Sequence, residues 1–125
     1  MRLLLDTHTV LWWFMDDPRL SRAAQTVLDN ADNELFLSAV AGYEIAYKQR
    51  SGRIPQVPDG LPRRLHRAGI MVLPLTLAHA LAAAALPGPH RDPWDRIMMA
   101  QALAEGLTVV TVDPQFTQYG IPVLW

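Results

Sequence analysis

Acidic residues follow two of the apolar runs in the 125-residue sequence. Asp6 comes directly after Leu3-Leu4-Leu5, and Asp113 ends the run that begins near Leu107. Both runs have the length and composition of short buried strands. Ligands of open parallel α/β sheets bind at the carboxyl ends of the strands, so Asp6 and Asp113 are candidates for a shared site.

Three further acids lie on predicted helices. Glu44 stands on a largely apolar helix, where an acid is rarely buried without a partner. Asp92 and Asp95 begin another helix, and their spacing of three places both near one face. Two acids also have simpler interpretations. Asp92 could serve only as the N-cap of its helix, and Asp113, which precedes Pro114, only as a turn residue.

Carboxylates that converge on one point repel each other and raise each other's pKa unless a cation lies between them. Their hard oxygen atoms suit Mg²⁺ or Mn²⁺, which keep water ligands and bridge to substrate phosphates. Such an ion activates water, orients a phosphate and offsets the charge that develops during phosphodiester cleavage. The acids therefore predict a metal site for phosphate chemistry.

The elements that must position these acids alternate along the chain. Short apolar runs separated by longer helical stretches predict an α/β fold, a three-layer α/β/α sandwich with a short, mainly parallel central sheet. Asp6 is not expected to be a helix cap, since the first helix is predicted to start only at Thr9. The predicted strands are 2–5, 34–37, 71–73, 107–112 and 123–125, and the predicted helices are 9–15, 22–30, 39–51, 63–68, 76–86 and 93–105. Ser21 and Ser38 are the predicted N-caps of the second and third helices.

Composition limits the classes of protein that remain. The length fits a single domain over residues 1–125. The absence of cysteine excludes disulfides, thiolate zinc sites and a cysteine nucleophile. Only three apolar residues precede Asp6, too few for a secretory or membrane segment, so a cytoplasmic protein without a membrane partner is predicted. The net charge is −1, but eight of the eleven Lys and Arg residues lie between Lys48 and Arg96, where a local basic rim could meet nucleic acid.

Four segments, in order, resemble the successive motifs of the VapC-type PIN-domain ribonuclease toxins of type II toxin–antitoxin systems. The resemblance covers nearly the whole chain, and the part from His90 to Ala102 is the most specific. The segments are Leu3-Leu4-Leu5-Asp6-Thr7-His8, the stretch 38–48, His90-Arg91-Asp92-Pro93-Trp94-Asp95-Arg96 and Thr111-Val112-Asp113.

The resemblance implies an Mg²⁺- or Mn²⁺-dependent ribonuclease that dimerises and is bound by a cognate antitoxin. It implies that Asp6, Glu44, Asp95 and Asp113 form the acidic site, with the metal on Asp6, Asp95 and Asp113. Asp92 would be an additional nearby acid. Supporting hydroxyl groups would come from Thr7, Ser38 and Thr111, and Arg91 and Arg96, which flank the acids, are candidates for binding substrate phosphate.

Two positions beside Glu44 depart from the family pattern, which usually has a small hydroxyl residue and Trp where this chain has Gly42 and Tyr43. Tyr47 also replaces a smaller aliphatic residue. A glycine inside a helix costs up to about 1 kcal/mol relative to alanine and weakens the turn that aims Glu44. Glu44 is therefore the least secure member of the predicted site.

Two other functions are compatible with these residues. A non-catalytic PIN module would bind metal or antitoxin as a regulatory partner, since a fold alone does not establish activity. A phosphatase would use Asp6 as a covalent nucleophile, but enzymes of that kind need a second aspartate where this chain has His8.

Overall fold

Five short parallel strands form the centre of the fold in the computed structural model, which describes residues 1–88 and 92–125. The strands are β1 (Arg2–Leu5), β2 (Glu34–Ser38), β3 (Ile70–Leu73), β4 (Thr108–Val110) and β5 (Val123–Leu124). Their order across the sheet is β3-β2-β1-β4-β5. Every neighbouring pair is parallel, so all the carboxyl ends lie at one edge.

The central strand β1 is buried on both faces. Leu3, Leu4 and Leu5 are inaccessible to solvent, as are Val109 and Val110 on the adjacent strand β4. A continuous apolar run is what a strand covered on both faces requires, because successive side chains point to opposite sides. The core therefore lies on both sides of β1, directly below Asp6.

Helices connect and flank the strands, so the predicted α/β fold with a parallel sheet is confirmed. The helices are α1 (Thr7–Phe14), α2 (Arg22–Asp29), α3 (Ala39–Arg50), α4 (Leu61–Arg67), α5 (Leu77–Ala85) and α6 (Pro93–Glu105), followed by a 3₁₀ helix (Pro114–Tyr119). Of the helices within the described ranges, none is long and apolar enough to cross a membrane.

Several predicted element boundaries are wrong by one or two residues, and two of these errors fall beside the acids. Helix α1 begins at Thr7 instead of Thr9, because Asp6 has an extended backbone (ψ 154°) and its carboxylate caps the helix. Strand β4 ends at Val110 rather than at residue 112. The Thr111 hydroxyl accepts the backbone N–H of Asp113 at 3.0 Å, and this local bond turns the chain out of the sheet.

Candidate active site

The predicted acids lie along the carboxyl edge of the sheet, where three neighbouring strands end. Asp6 follows β1, and Asp113 comes shortly after β4. On the other side of β1, β2 ends at Ser38, whose hydroxyl accepts the N–H of Val40 at 3.1 Å and caps α3. Ser38 thus fixes the start of the helix that carries Glu44.

Asp6 accepts hydrogen bonds on both carboxylate oxygens. The backbone N–H of Thr7 donates to Oδ1, and the Thr111 hydroxyl donates to Oδ2, both at 2.7 Å. Burial raises the pKa of Asp6 above its ordinary value of 3.8, although the two hydrogen bonds act in the opposite direction. The fold therefore holds this carboxylate where its negative charge is poorly solvated, and a nearby cation would offset that cost.

Glu44 is joined to Asp6 through one threonine. The Thr7 hydroxyl donates to Glu44 Oε1 at 2.6 Å, and Lys48 Nζ lies 3.0 Å from Oε2. Partial burial raises the pKa of Glu44, but the hydrogen bonds from Thr7 and Lys48 outweigh it and hold the pKa below 4.5. Glu44 is therefore ionised at neutral pH and is partly neutralised by Lys48.

Thr111 extends this network to the fourth strand. Its hydroxyl donates to Asp6 and accepts the N–H of Asp113, and Asp113 Oδ1 in turn accepts the N–H of Gln115 at 2.9 Å. Three of the four predicted acids thus belong to one hydrogen-bonded chain, in which Thr7 and Thr111 are the links. The order of the chain is Glu44, Thr7, Asp6, Thr111, Asp113.

The first turn of α6 carries the other two acids. Exposed Asp92 caps the helix by accepting the N–H of Trp94 at 2.9 Å, which matches its simpler interpretation. Asp95 is half-buried in the same turn. The Trp94 ring lies 5.4 Å from the ring of Tyr43, between centroids, so the start of α6 meets α3 beside Glu44.

Of the two arginines that are expected to bind phosphate, the structure describes Arg96. The Arg96 guanidinium donates to the backbone oxygens of Ala83 and Leu86 at the end of α5. These bonds stabilise the C-terminus of a helix, and contact with phosphate stays a prediction. Arg91 lies outside the described residues, as does His90.

Two functional contacts were missed in the sequence. The Thr9 hydroxyl donates to the backbone oxygen of Val110 at 2.7 Å, which ties α1 to β4 just below Asp6. This contact spans the length of the chain and leaves no local signal. Lys48 could have been found, because a lysine four residues after a glutamate on a helix is placed to pair with it.

The donor chemistry of this edge suits Mg²⁺ or Mn²⁺. Within residues 1–88 and 92–125, no three metal-binding side chains lie close enough together to hold an ion by themselves. Mg²⁺ does not need such a cluster, because it commonly takes one or two carboxylates and keeps several water ligands. The partly buried carboxylate of Asp6, with its raised pKa and the neighbouring charge of Glu44, fits a cation of this kind.

Comparison with known proteins identifies the class to which this fold and site belong. Residues 3–122 match the family model of the PIN domain. Ribonuclease VapC22 of Mycobacterium tuberculosis is 32% identical over 122 residues, covering 96% of this chain and 93% of the relative. The chain therefore belongs to the PIN-domain family, in its VapC-type ribonuclease toxin branch.

Solved structures support the same fold. FitAcB from Neisseria gonorrhoeae matches with a TM-score of 0.70 and 22% identity, covering 97% of this chain and 95% of that one. The structure of VapBC2 from Rickettsia felis, bound to a DNA fragment from the VapBC2 promoter, matches with a TM-score of 0.68 and 16% identity. The match covers 98% of this chain and 97% of that one. The family resemblance predicted from the four sequence segments is confirmed.

Proposed function

We propose that the protein is a metal-dependent endoribonuclease that hydrolyses RNA phosphodiester bonds as the toxin of a toxin–antitoxin pair. One observation carries this proposal: the partly buried carboxylate of Asp6 is aimed by Thr7 and Thr111 and is joined through Thr7 to ionised Glu44. Such an arrangement costs stability unless a cation is bound, and so it favours a metal-using site over a structural one.

Asp6, Asp95 and Asp113 are the proposed ligands for Mg²⁺ or Mn²⁺: one or two of them would contact the ion directly and the rest through its water ligands, with Glu44 beside them. When bound, the ion supplies a Lewis acid that activates water and offsets the negative charge of the reacting phosphate. Thr7 and Thr111 fix the Asp6 carboxylate, so its oxygens need no reorganisation during the reaction. Glu44 accepts a proton from the attacking water on one of its two carboxylate oxygens. These are Oε1, which accepts a hydrogen bond from Thr7, and Oε2, which pairs with Lys48.

The names of the relatives support the proposed substrate and partners of this chain. VapC22 is named a ribonuclease, and the Rickettsia felis structure is a VapBC pair on promoter DNA. For this chain we accordingly propose an RNA substrate, a cognate antitoxin and a homodimer, all in the cytoplasm. Arg91 and Arg96 remain the proposed contacts for substrate phosphate.

The direct test is cleavage of RNA by the purified protein with Mg²⁺, with Mn²⁺ and with a chelator. Asp6→Asn and Asp95→Asn are expected to abolish cleavage and to keep the circular dichroism spectrum of the wild type. Asp32→Asn, which removes an exposed carboxylate far along the chain from these acids, serves as the control and should cleave normally. Full activity of either site variant, or undiminished cleavage in the chelator, would contradict the proposal.

The second candidate is a non-catalytic PIN module, and the ion pair of Lys48 with Glu44 favours it. An ammonium group already neutralises one acid of the site, and Gly42 weakens the helix on which that acid lies. This alternative predicts that calorimetry detects Mg²⁺ or Mn²⁺ binding while no RNA is cleaved. Lys48→Met would then be the first variant in which to look for gained activity.

A further inference from the structure

Three large aromatic side chains form a continuous surface beside the acidic edge; we call it the aromatic triad (Tyr43, Tyr47 and Trp94). The rings of Tyr43 and Tyr47 are stacked, with centroids 6.1 Å apart and planes at 26°. Tyr43 and Trp94 are 5.4 Å apart at 35°. The two tyrosines are four residues apart on α3 and therefore share one face of the helix.

The triad packs against itself, yet it remains in solvent. Tyr43 is 55% exposed, Tyr47 54% and Trp94 42%. Aromatic side chains usually contribute to stability by burying their large apolar area, and here about half of that area stays in water. The ring surfaces are therefore available to a ligand.

The triad adjoins the proposed active site through the chain itself. Tyr43 directly precedes Glu44, and Trp94 directly precedes Asp95. A ligand that lies across Tyr43 and Trp94 is therefore within one residue of two of the four proposed catalytic acids, and Tyr47 extends the surface away from them by one turn of α3.

We propose that the aromatic triad stacks the unpaired bases of single-stranded RNA next to the phosphate that is cleaved. This inference rests on the proposed function and names the form of its substrate. Every nucleobase offers a π face to an aromatic ring, whereas the faces of bases inside a double helix are already stacked. An exposed aromatic surface thus selects single strands without requiring one base sequence.

The charge of the site gives a reason for such a surface. The carboxylates at this edge repel a polyanion, so phosphate contacts alone provide little affinity there. Base stacking is not opposed by the same charges and depends less on salt than phosphate contacts do. The triad would anchor the strand while the acids act on its backbone.

The size of the triad argues against a second protein as its occupant. An aromatic side chain buries about 150–250 Å², so three half-exposed rings offer roughly 300 Å². A stable protein–protein interface needs about 800 Å² from each partner. Two or three stacked bases, in contrast, match the surface.

The test measures binding without cleavage. Fluorescence anisotropy follows a labelled single-stranded RNA of about a dozen nucleotides, with the wild-type protein in a chelator. Tyr43→Ala, Tyr47→Ala and Trp94→Ala are each expected to weaken binding about tenfold, whereas Tyr43→Phe and Tyr47→Phe keep the ring and stay within about twofold. Leu77→Ala, which removes a 74% exposed side chain from α5, is the matched control and should leave affinity unchanged.

Two further readouts separate stacking from a general structural effect. Removing the bases at single positions of the RNA should abolish the difference between wild type and Tyr43→Ala. A duplex of the same sequence should bind all variants equally. Single-strand affinity that is unchanged in the three alanine variants overturns the inference, and so does an equal loss for duplex and single strand.

Measurements of the oligomeric state and of RNA cleavage separate the remaining explanations. Alanine variants that become monomeric in sedimentation velocity and keep their RNA affinity would identify the triad as a protein interface and overturn the inference. If the wild type cleaves RNA but the variants bind it normally, stacking fails and the proposed function stands. If binding depends on the bases but no metal supports cleavage, the proposed function fails and stacking stands.

Discussion

The carboxylate of Asp6 affects the stability of the fold in two opposite ways. It caps α1, which stabilises the fold, and it presents a charge in a place where burial raises its pKa. Asparagine is as good an N-cap as aspartate, so the cap does not require the charge. The charge is therefore present at a cost in stability, as expected of a group kept for function.

Asp6→Asn is predicted to stabilise the metal-free protein at neutral pH. Because the folded-state pKa of Asp6 is above 3.8, the folded protein binds the proton more tightly than the unfolded chain does. The contribution of Asp6 to stability is thus greatest below 3.8 and is lost as the pH rises through the folded-state pKa. Thermal melts of wild type and variant in a chelator, at a series of pH values, measure the difference.

The stability advantage of Asp6→Asn should grow as the pH rises across this window and be small at its acid end. Asp32→Asn, which removes an exposed carboxylate, controls for the change in net charge. An advantage that stays constant with pH would mean that desolvation of the Asp6 carboxylate is not the cause.

Asp6 and Asp113 could be predicted from local patterns in the sequence, whereas the hydroxyl partners Thr7 and Thr111 were indicated only by the family resemblance. Asp6 and Asp113 were found because each follows an apolar run, which is a local pattern. The contacts of Thr9 with Val110 and of Thr111 with Asp6 join residues about a hundred positions apart. No window of the sequence contains both members, so these bonds became visible only with the order of the strands.

Gly42 is a departure from the family pattern in α3 that the structure gives room to reverse. A Cβ atom added to Gly42 would have no heavy atom within 4 Å, apart from the helix's own backbone and the chain neighbours. The glycine therefore serves no close approach of another element. The remaining effect of Gly42 on stability is the conformational entropy that a glycine inside a helix loses on folding.

Gly42→Ala is predicted to raise the free energy of unfolding by up to about 1 kcal/mol, measured by urea denaturation. Gly106→Ala is the matched comparison, because Gly106 also has no close neighbour but ends α6 with φ +65°. Alanine is strained there, and this variant should lose about 1 kcal/mol. A loss of stability in Gly42→Ala would show that α3 needs a glycine at this position.

Three helix starts could be predicted from their N-cap residues, whereas the start of α1 was predicted two residues too late. Ser21, Ser38 and Asp92 cap their helices as their sequence positions indicated. Asp6 was missed as a cap because it was interpreted only as an acid at the end of β1. The residue that begins the helix is also a proposed catalytic acid, and the second interpretation left no reason to look for the first.

The site as a whole draws on both ends and the middle of the chain. Glu44, Asp6 and Asp113 reach one network from α3, β1 and the start of the 3₁₀ helix. A cation bound by such a network stabilises the folded state only, because the unfolded chain does not bring these groups together.

Mg²⁺ or Mn²⁺ is accordingly predicted to raise the stability of the wild type by about 2.7 kcal/mol at a hundred times its Kd. Asp6→Asn should show little or no increase at the same concentration. Differential scanning calorimetry with and without the metal measures both. An equal increase in the two proteins would place the ion elsewhere on the molecule.

The parallel sheet also sets the moment at which the protein could first act in a cell. β1 is made before the other strands of the sheet, but the hydroxyl that fixes the aspartate after it lies 105 residues later. At the usual rate of synthesis this is an interval of about 5 to 20 seconds. Until the chain has grown past Thr111 and left the ribosome, the proposed active site is not assembled, so the nascent protein is expected to cleave no RNA, including the message that encodes it.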